Sequence, residues 1–375
     1  MNKKMRPLIK WTGGKYKEFA LFAHHIPQFE RYVEPFFGGG GVFFALQPRV
    51  PAFINDKSAD LVNFYRQLGQ EDFKAELFKY ADAWTALAKL SAELWERCEE
   101  IFTRFIFTDL PISELQQWLE ETLTKQLAEH GLLNDKVFLR DAEGFRSILL
   151  NSLTDKAKRI KRIEQREHRQ FNASELAVHF ETGLRSGTYL FFRKLLNQYY
   201  KQTINLPMAK AVANWYFVRE LCYGAMFRFN ARGEFNIPYG GIAYNKKNLH
   251  QKIQHIFSKE TARLFEATKI ANDDFESFLN GLDLKPSDFI FLDPPYDSEF
   301  SEYDQNAFTP NDQERLANFL IGCKAKWMVV IKETAFIRKI YTHPQIKIVN
   351  FNKRYSYNVR GRNQRAVVHL IITNY

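Results

Sequence analysis

Three cysteines in 375 residues, Cys98, Cys222 and Cys323, stand far apart and form no C-x-x-C pair. That spacing excludes a disulfide framework or a zinc ribbon as the basis of the fold. A reducing compartment is the default expectation. Long apolar runs are also missing. No stretch approaches the roughly eighteen residues a membrane helix needs, and the basic start, Met1–Trp11, is followed by no apolar segment of the secretory kind. The chain is expected to be soluble and cytoplasmic, with no membrane partner and no metal. There is no internal repeat and no G-x-G-x-x-G fingerprint, because the third glycine would fall on Phe43 or Phe44. A nicotinamide enzyme is therefore not expected.

Positive charge is present in excess: 53 Lys and Arg against 43 Asp and Glu give a net charge of +10, which suits a polyanionic partner. The 35 Phe and 17 Tyr supply core and stacking surface.

The most informative stretch is Ser287–Tyr296, where an apolar strand runs into Asp293-Pro294-Pro295-Tyr296. An exocyclic base amine is a poor nucleophile because its lone pair is delocalised into the ring. The Asp293 carboxylate and the Pro294 carbonyl suit its two hydrogens, and accepting them turns the lone pair outward. Consecutive prolines stiffen the rim. Tyr296 offers a face for stacking, worth roughly 1–3 kcal/mol per base. The plainer reading is a strand, a proline turn and a core tyrosine.

Near the N-terminus, Arg31–Phe37 reads as a strand and leads into Gly38, Gly39, Gly40 and Gly41. Glycines at a strand-to-helix turn let another group approach the main chain, and a helix starting near Val42 favours an anion. A second short strand, Ala52–Asp56, ends in an acid about sixteen residues beyond the glycines, close to the spacing at which α/β folds meet ribose hydroxyls. Asp56 is read equally well as a helix N-cap. Ahead of both, Ile9–Lys15 holds paired glycines between Trp11 and Lys15, which suit a loop that hugs a ligand, with Lys15 meeting a carboxylate.

In this order KWTGGK (Lys10–Lys15), EPFFGGGG (Glu34–Gly41), NDKSADL (Asn55–Leu61), RGEFNIPYG (Arg232–Gly240) and DPPY (Asp293–Tyr296) resemble the DNA adenine methylase family. The resemblance implies a methyl transfer from S-adenosyl-L-methionine to the exocyclic amine of adenine in double-stranded DNA, after base flipping. It implies Trp11, Lys15, Glu34, Phe36, Gly38, Gly40, Asp56, Asp274, Phe275 and Asp293 as the cofactor set, and Asp293, Pro294 and Tyr296 as the catalytic group. A restriction-modification, orphan or phage setting fits, with a companion restriction endonuclease acting separately in the first. The pattern departs from the family at Gly224-Ala225, where an Asn-Gly pair is frequent, at Lys332-Glu333-Thr334, and in the length of the stretch from 70 to 210. The target sequence is left open. So are a cytosine amine as target, a protein or RNA methyltransferase, and a non-catalytic DNA-binding or anti-restriction protein.

The fold class expected is α/β: a Rossmann-like, doubly wound methyltransferase sheet from residues 1–66 and 265–375, interrupted by a mostly helical target-recognition insertion over 67–264. Apolar residues recur every three to four positions from Glu71 to Phe102, helical signals continue over Ile112–Glu129 and Leu184–Tyr200, and strand patterns return at Asp288–Leu292, Lys326–Ile331, Lys347–Phe351 and Ala366–Thr373. Lys156–Gln170 carries seven basic residues against two acidic ones, suited to phosphate contacts or simply to a solvated helix face. For DNA contact the candidates are Lys10, Tyr223, Arg228, Asn230, Arg232, Lys353 and Arg354. Arg can grip guanine and Asn adenine through paired hydrogen bonds.

Overall fold

The computed structural model describes residues 5–226, 228–295, 308–354 and 366–375. The chain divides into two compact units, Met1–Leu68 with Ile256–Tyr375, and Gly69–His255.

The first unit is a seven-stranded sheet in the order β3-β2-β1-β4-β5-β7-β6. It opens with β1 (Arg31–Glu34), α1 (Gly41–Leu46), β2 (Ala52–Asn55) and α2 (Ala59–Arg66). The chain then leaves for the second unit, built on α3 (Glu71–Phe107), α4 (Ile112–Glu129), α5 (Ala142–Glu167), α6 (Ala173–Tyr200) and α7 (Met208–Leu221). It returns through α8 (Lys259–Glu266), β3 (Thr268–Ala271), α9 (Phe275–Asn280), β4 (Asp288–Leu292), α10 (Pro310–Ile321), β5 (Lys326–Lys332), β6 (Lys347–Arg354) and β7 (Ala366–Thr373). Strands β1 to β5 are parallel, while β7 runs antiparallel to both β5 and β6.

Burial explains the strand sequences. All five residues of β4 are buried, and after Asp288 it reads as an unbroken apolar run, Phe289–Leu292, as suits a central parallel strand covered on both faces. On one face Val33, Ile290, Leu292, Trp327 and Val329 pack with Phe278, Leu279, Leu316 and Leu320 of α9 and α10. On the other, Tyr32 and Phe289 meet the rings of Phe29 and Phe43. Arg31 and Asp288, register partners at the starts of β1 and β4, also form an ion pair.

In the second unit α3 is one 37-residue helix, where the periodicity left one helix or two open. It buries Phe73, Leu77, Tyr80, Trp84, Leu87 and Leu94 against α6 and α7. Gly183 and Gly187, one turn apart on α6, let α5 come close: a Cβ on Gly187 would lie 2.9 Å from Leu149 Cδ2. Among the described residues no helix is long and apolar enough to cross a membrane.

Candidate active site

The sheet order reverses between β1 and β4. From β1 the chain moves outward through α1 to β2, and from β4 it moves the other way through α10 to β5. Neighbouring parallel strands whose connections diverge open a crevice beyond their carboxyl ends, where open α/β sheets take ligands. Glu34 ends β1, Asp293 follows β4 directly, and Asp56 follows β2 on the next strand over. The topology thus brings together three acids that the sequence scatters over 260 positions.

Lys15 is buried, with its side chain 1% exposed, and it pairs with Asp293 Oδ1 while donating to the Gly13 carbonyl at 3.3 Å. An ammonium taken out of water needs an anion beside it. The carboxylate that Lys15 meets here is that of Asp293. Pro294 is buried and Pro295 exposed, its carbonyl accepting the Gln313 amide at 2.9 Å. Tyr296 lies outside the described residues.

The glycine run has a specific neighbour. Gly38 and Gly40 take φ of +51° and +65°, a left-handed region costly for other residues. A Cβ on Gly38 would lie 3.0 Å from Trp11 Cδ1, and one on Gly39 2.8 Å from Trp11 Cβ. The approach that Gly38 and Gly39 allow is therefore taken up by Trp11, while a Cβ on Gly40 would meet the Phe37 and Phe44 rings. Asp56 fixes the same turn from the other side: Oδ2 accepts the Gly38 N–H and Oδ1 the Ser58 N–H, both at 2.8 Å. Ser58, not Asp56, sits at the N-cap position of α2.

Glu34 is 2% exposed, and its Oε2 accepts the Tyr32 hydroxyl at 2.7 Å. Burial pushes its pKa well above the usual carboxylate range; the Tyr32 hydrogen bond opposes this, while Asp293 and Asp56 push the same way. Glu34 is thereby biased toward its neutral form, with two further acids near enough to act on it.

Phe36, after β1, and Phe275, opening α9, meet with ring centroids 5.4 Å apart, and Phe308 closes the trio. Asp274 caps α9 by accepting the Glu276 N–H at 3.1 Å, and the same Oδ1 takes Arg315 Nη2 at 2.9 Å. Its Oδ2 makes no hydrogen bond among the described residues. Arg315 also pairs with Glu276 and Asp312 and stands over the Phe275 ring. Sequence reading missed Arg315, and missed Asn55 as well. Asn55 is 2% exposed and staples the strand ends through the Pro35 carbonyl at 3.1 Å, the Asp273 carbonyl at 3.0 Å and the Asp273 N–H at 2.8 Å. A buried amide just before Asp56 was the available signal.

The candidates for DNA contact divide between the units. In the second unit, Tyr223, Arg228 and Arg232 are exposed, beside a turn in which Gly224 and Ala225 both take positive φ. Asn230 is half-buried, and its side chain holds the turn: Oδ1 accepts the Arg232 N–H at 2.9 Å and the Glu234 N–H at 3.0 Å, while Nδ2 donates to Glu234 Oε2 at 3.1 Å. In the first unit Lys10 is exposed, and Lys353 and Arg354 fall on β6 opposite Val367 and Ala366.

Comparison with known proteins agrees with this geometry. The chain matches the family described as D12 class N6 adenine-specific DNA methyltransferase over residues 11–104 and 136–357. It is 24% identical to the DNA adenine methylase of Vibrio cholerae over 371 residues, 96% of this chain and 94% of that protein. With the Type II methyltransferase M.MjaIII of Methanocaldococcus jannaschii it shares 22% identity over 390 residues, covering 99% of each. With the Type II methyltransferase M.CviBI of Paramecium bursaria Chlorella virus it shares 32% over 169 residues, 44% of this chain and 60% of that protein. Since the family match spans the Trp11 segment, the glycine turn and the Asp293 loop alike, the chain belongs to the D12 class N6 adenine-specific DNA methyltransferases.

Proposed function

We propose that the crevice beyond β1, β2 and β4 holds S-adenosyl-L-methionine together with an adenine turned out of duplex DNA, and that N6 is methylated there. The observation that carries the reading is Asp293, ion-paired with buried Lys15 at the carboxyl end of β4, next to the strand that leads into the glycine turn.

The residues suit the cofactor. The Asp56 and Asp293 carboxylates match hydroxyl and cationic groups, the neutral-leaning Glu34 offers a further polar contact, Phe36 and Phe275 offer flat apolar faces, and the open Oδ2 of Asp274 accepts from an exocyclic amine. Trp11, Lys15, Glu34, Gly38 and Gly40 complete the proposed lining, with Asp56 on the ribose. When bound, the cofactor supplies an electrophilic methyl group on a sulfonium.

The remaining work belongs to the chain. Asp293, an acceptor through both oxygens, and the Pro294 carbonyl hold the amine hydrogens, so that the nitrogen lone pair faces the methyl. Asp293 then passes on the proton that the methylated amine sheds. Holding the reacting atoms about 3 Å apart supplies much of the acceleration. Tyr296 is assigned to stacking from its place in the motif alone.

The sheet unit is then the catalytic domain and the helical unit the target-recognition domain, reading DNA through Tyr223, Arg228, Asn230 and Arg232, with Lys10, Lys353 and Arg354 contributing from the sheet unit. Relatives named Type II methyltransferases support a restriction-modification setting with a separate endonuclease, and a cytoplasmic location follows from the substrate. Long-read methylation sequencing of DNA from a methylation-free host expressing the chain tests the reading. Methyladenine in one motif is expected, and none with Asp293→Ala. Marks on cytosine, or marks that survive the substitution, would overturn it.

A further inference from the structure

The exposed Arg228 and Arg232 belong to an arm that does not support itself. Its outgoing run is held by an isolated pairing of Phe229 with Phe235 and by the turn from Asn230 to Glu234, closed by the Asn230 N–H on the Glu234 carbonyl at 2.9 Å. The Tyr200 ring meets Phe229 with centroids 5.9 Å apart, and beyond the returning run Pro238 and Gly240 bond to Tyr223 and Leu221. The returning run itself, residues 234–237, takes a series of side-chain bonds from α6. Tyr189 donates its hydroxyl to the Ile237 carbonyl at 2.7 Å, and Arg193 Nη1 donates to the Ile237 and Asn236 carbonyls at 2.9 and 3.2 Å. Asn197 exchanges two bonds with Phe235, its Nδ2 to the carbonyl at 3.1 Å and its Oδ1 from the N–H at 2.8 Å. Lys201, directly after the helix, pairs with Glu234.

These four residues follow one another at steps of four, which keeps them on one side of a helix. They take the arm in reverse order: 237, then 236 and 237, then 235, then 234. Asn197 serves Phe235 as a neighbouring strand would, with one donor and one acceptor. Such a set of bonds fixes register, because sliding the run by one residue would break every rung and turn each side chain to the opposite side. The arginine heads, by contrast, are exposed, and the Arg232 charge reaches Glu234 only as one of several influences that lower its pKa, after Lys201 and Asn230. A fixed base carrying exposed cationic heads is what reading a base edge requires.

We propose that Tyr189, Arg193, Asn197 and Lys201 are positioning residues for target recognition, setting which bases Arg228 and Arg232 meet without touching DNA themselves. This rests on the proposed reading of the arm as a DNA contact. A well-placed paired contact to one base discriminates roughly ten- to hundredfold, so an arm that slips should lose discrimination before it loses the ability to methylate.

The test compares kcat/KM on duplexes holding the chain's own methylated motif with kcat/KM on duplexes altered at one base pair, for Arg193→Leu, Asn197→Leu and Arg193→Lys. Both leucine variants are expected to lower discrimination about tenfold or more, with affinity for labelled S-adenosyl-L-methionine held within twofold. Arg193→Lys is expected to restore it, since an ammonium still reaches both carbonyls. Equal loss on matched and altered sites, or no loss, would overturn the proposal. Should Asn197→Leu fail to fold, the Arg193 pair still decides the matter. Arg228→Ala and Arg232→Ala separate the two levels. If they leave discrimination at the parental value, the reading of the arm is wrong and the positioning role falls with it. If they relax discrimination while the leucine variants do not, only the positioning role falls.

Discussion

Lys15 and Asp293 lie 278 residues apart in sequence, yet they share an ion pair in which the lysine side chain is 1% exposed. The pair ties the N-terminal segment to the end of β4 and holds the carboxylate proposed to receive the adenine amine. Lys15→Met keeps the apolar stem and removes the charge. The single-turnover methylation rate is expected to fall about 10²–10³-fold, the scale seen when one group aimed at developing charge is lost. Stability should fall by about 1–3 kcal/mol in urea, less than for a fully sealed pair because Asp293 can rehydrate. A variant as fast as the parent would remove Lys15 from catalysis.

Glu34 makes stability depend on pH. Its folded pKa is raised, chiefly by burial, above the ordinary value of 4.5. The group therefore contributes stability that is full below about pH 4.5 and is lost as pH climbs toward the raised folded value, at about 1.4 kcal/mol per pH unit. Glu34→Gln still accepts the Tyr32 hydroxyl but cannot ionise. As pH rises above about 5 the Tm of the variant should gain on that of the parent, by roughly 2–4 °C for each kcal/mol the parent loses. A constant difference across that range would mean that Glu34 does not titrate as its burial requires.

Gly38 bears two separable constraints, a φ of +51° and a Trp11 ring 3.0 Å from where a Cβ would stand. Gly38→Ala should cost about 1–2 kcal/mol for the dihedral and about 1 kcal/mol more for the ring. In a Trp11→Ala background only the first remains. A double-mutant cycle measured by urea unfolding is expected to show about 1 kcal/mol of coupling. Strict additivity would show that the turn and the tryptophan are independent.

Legibility in the sequence followed burial. β4 is readable because a strand covered on both faces is apolar along most of its length, here Phe289–Leu292, and α4 because its one buried face repeats with helical period. β3 is not: its four residues, Thr268–Ala271, form an edge strand with no fully buried position, so neither alternation nor an apolar run marks it. The return to the sheet unit accordingly lies near Ile256, earlier than 265, because α8 feeds β3 directly. At the site, the Asp293 loop and the glycine turn were visible as local motifs. The partner of Lys15, the clamp of Arg315 on Asp274 and the rungs of α6 were not, since each joins residues far apart in the chain and none changes the local pattern. Tyr189, Arg193 and Asn197 look in sequence like ordinary members of an aromatic, basic helix.

The basic run at the end of α5 remains to be assigned. Lys158, Arg162 and Arg166 follow at steps of four, all exposed, with exposed Arg159 beside them. Among the described residues Lys158, Arg159 and Arg162 form no ion pair, and Arg166 has only its neighbour Glu167. Like charges one turn apart destabilise a helix by a few tenths of a kcal/mol each. The helix dipole compensates only in the last turn, which covers Arg166 but not the other three. A stripe that costs stability and faces solvent suits duplex phosphates flanking the target. Replacing Lys158, Arg162 and Arg166 by Gln together is expected to reduce the slope of log affinity against log salt by about 2–3, near 0.9 for each phosphate no longer neutralised. The methylated motif should stay the same, because phosphate contacts carry no sequence information. Filter binding of a long duplex between about 50 and 200 mM salt measures the slope, and an unchanged value would return the run to a solvated helix face.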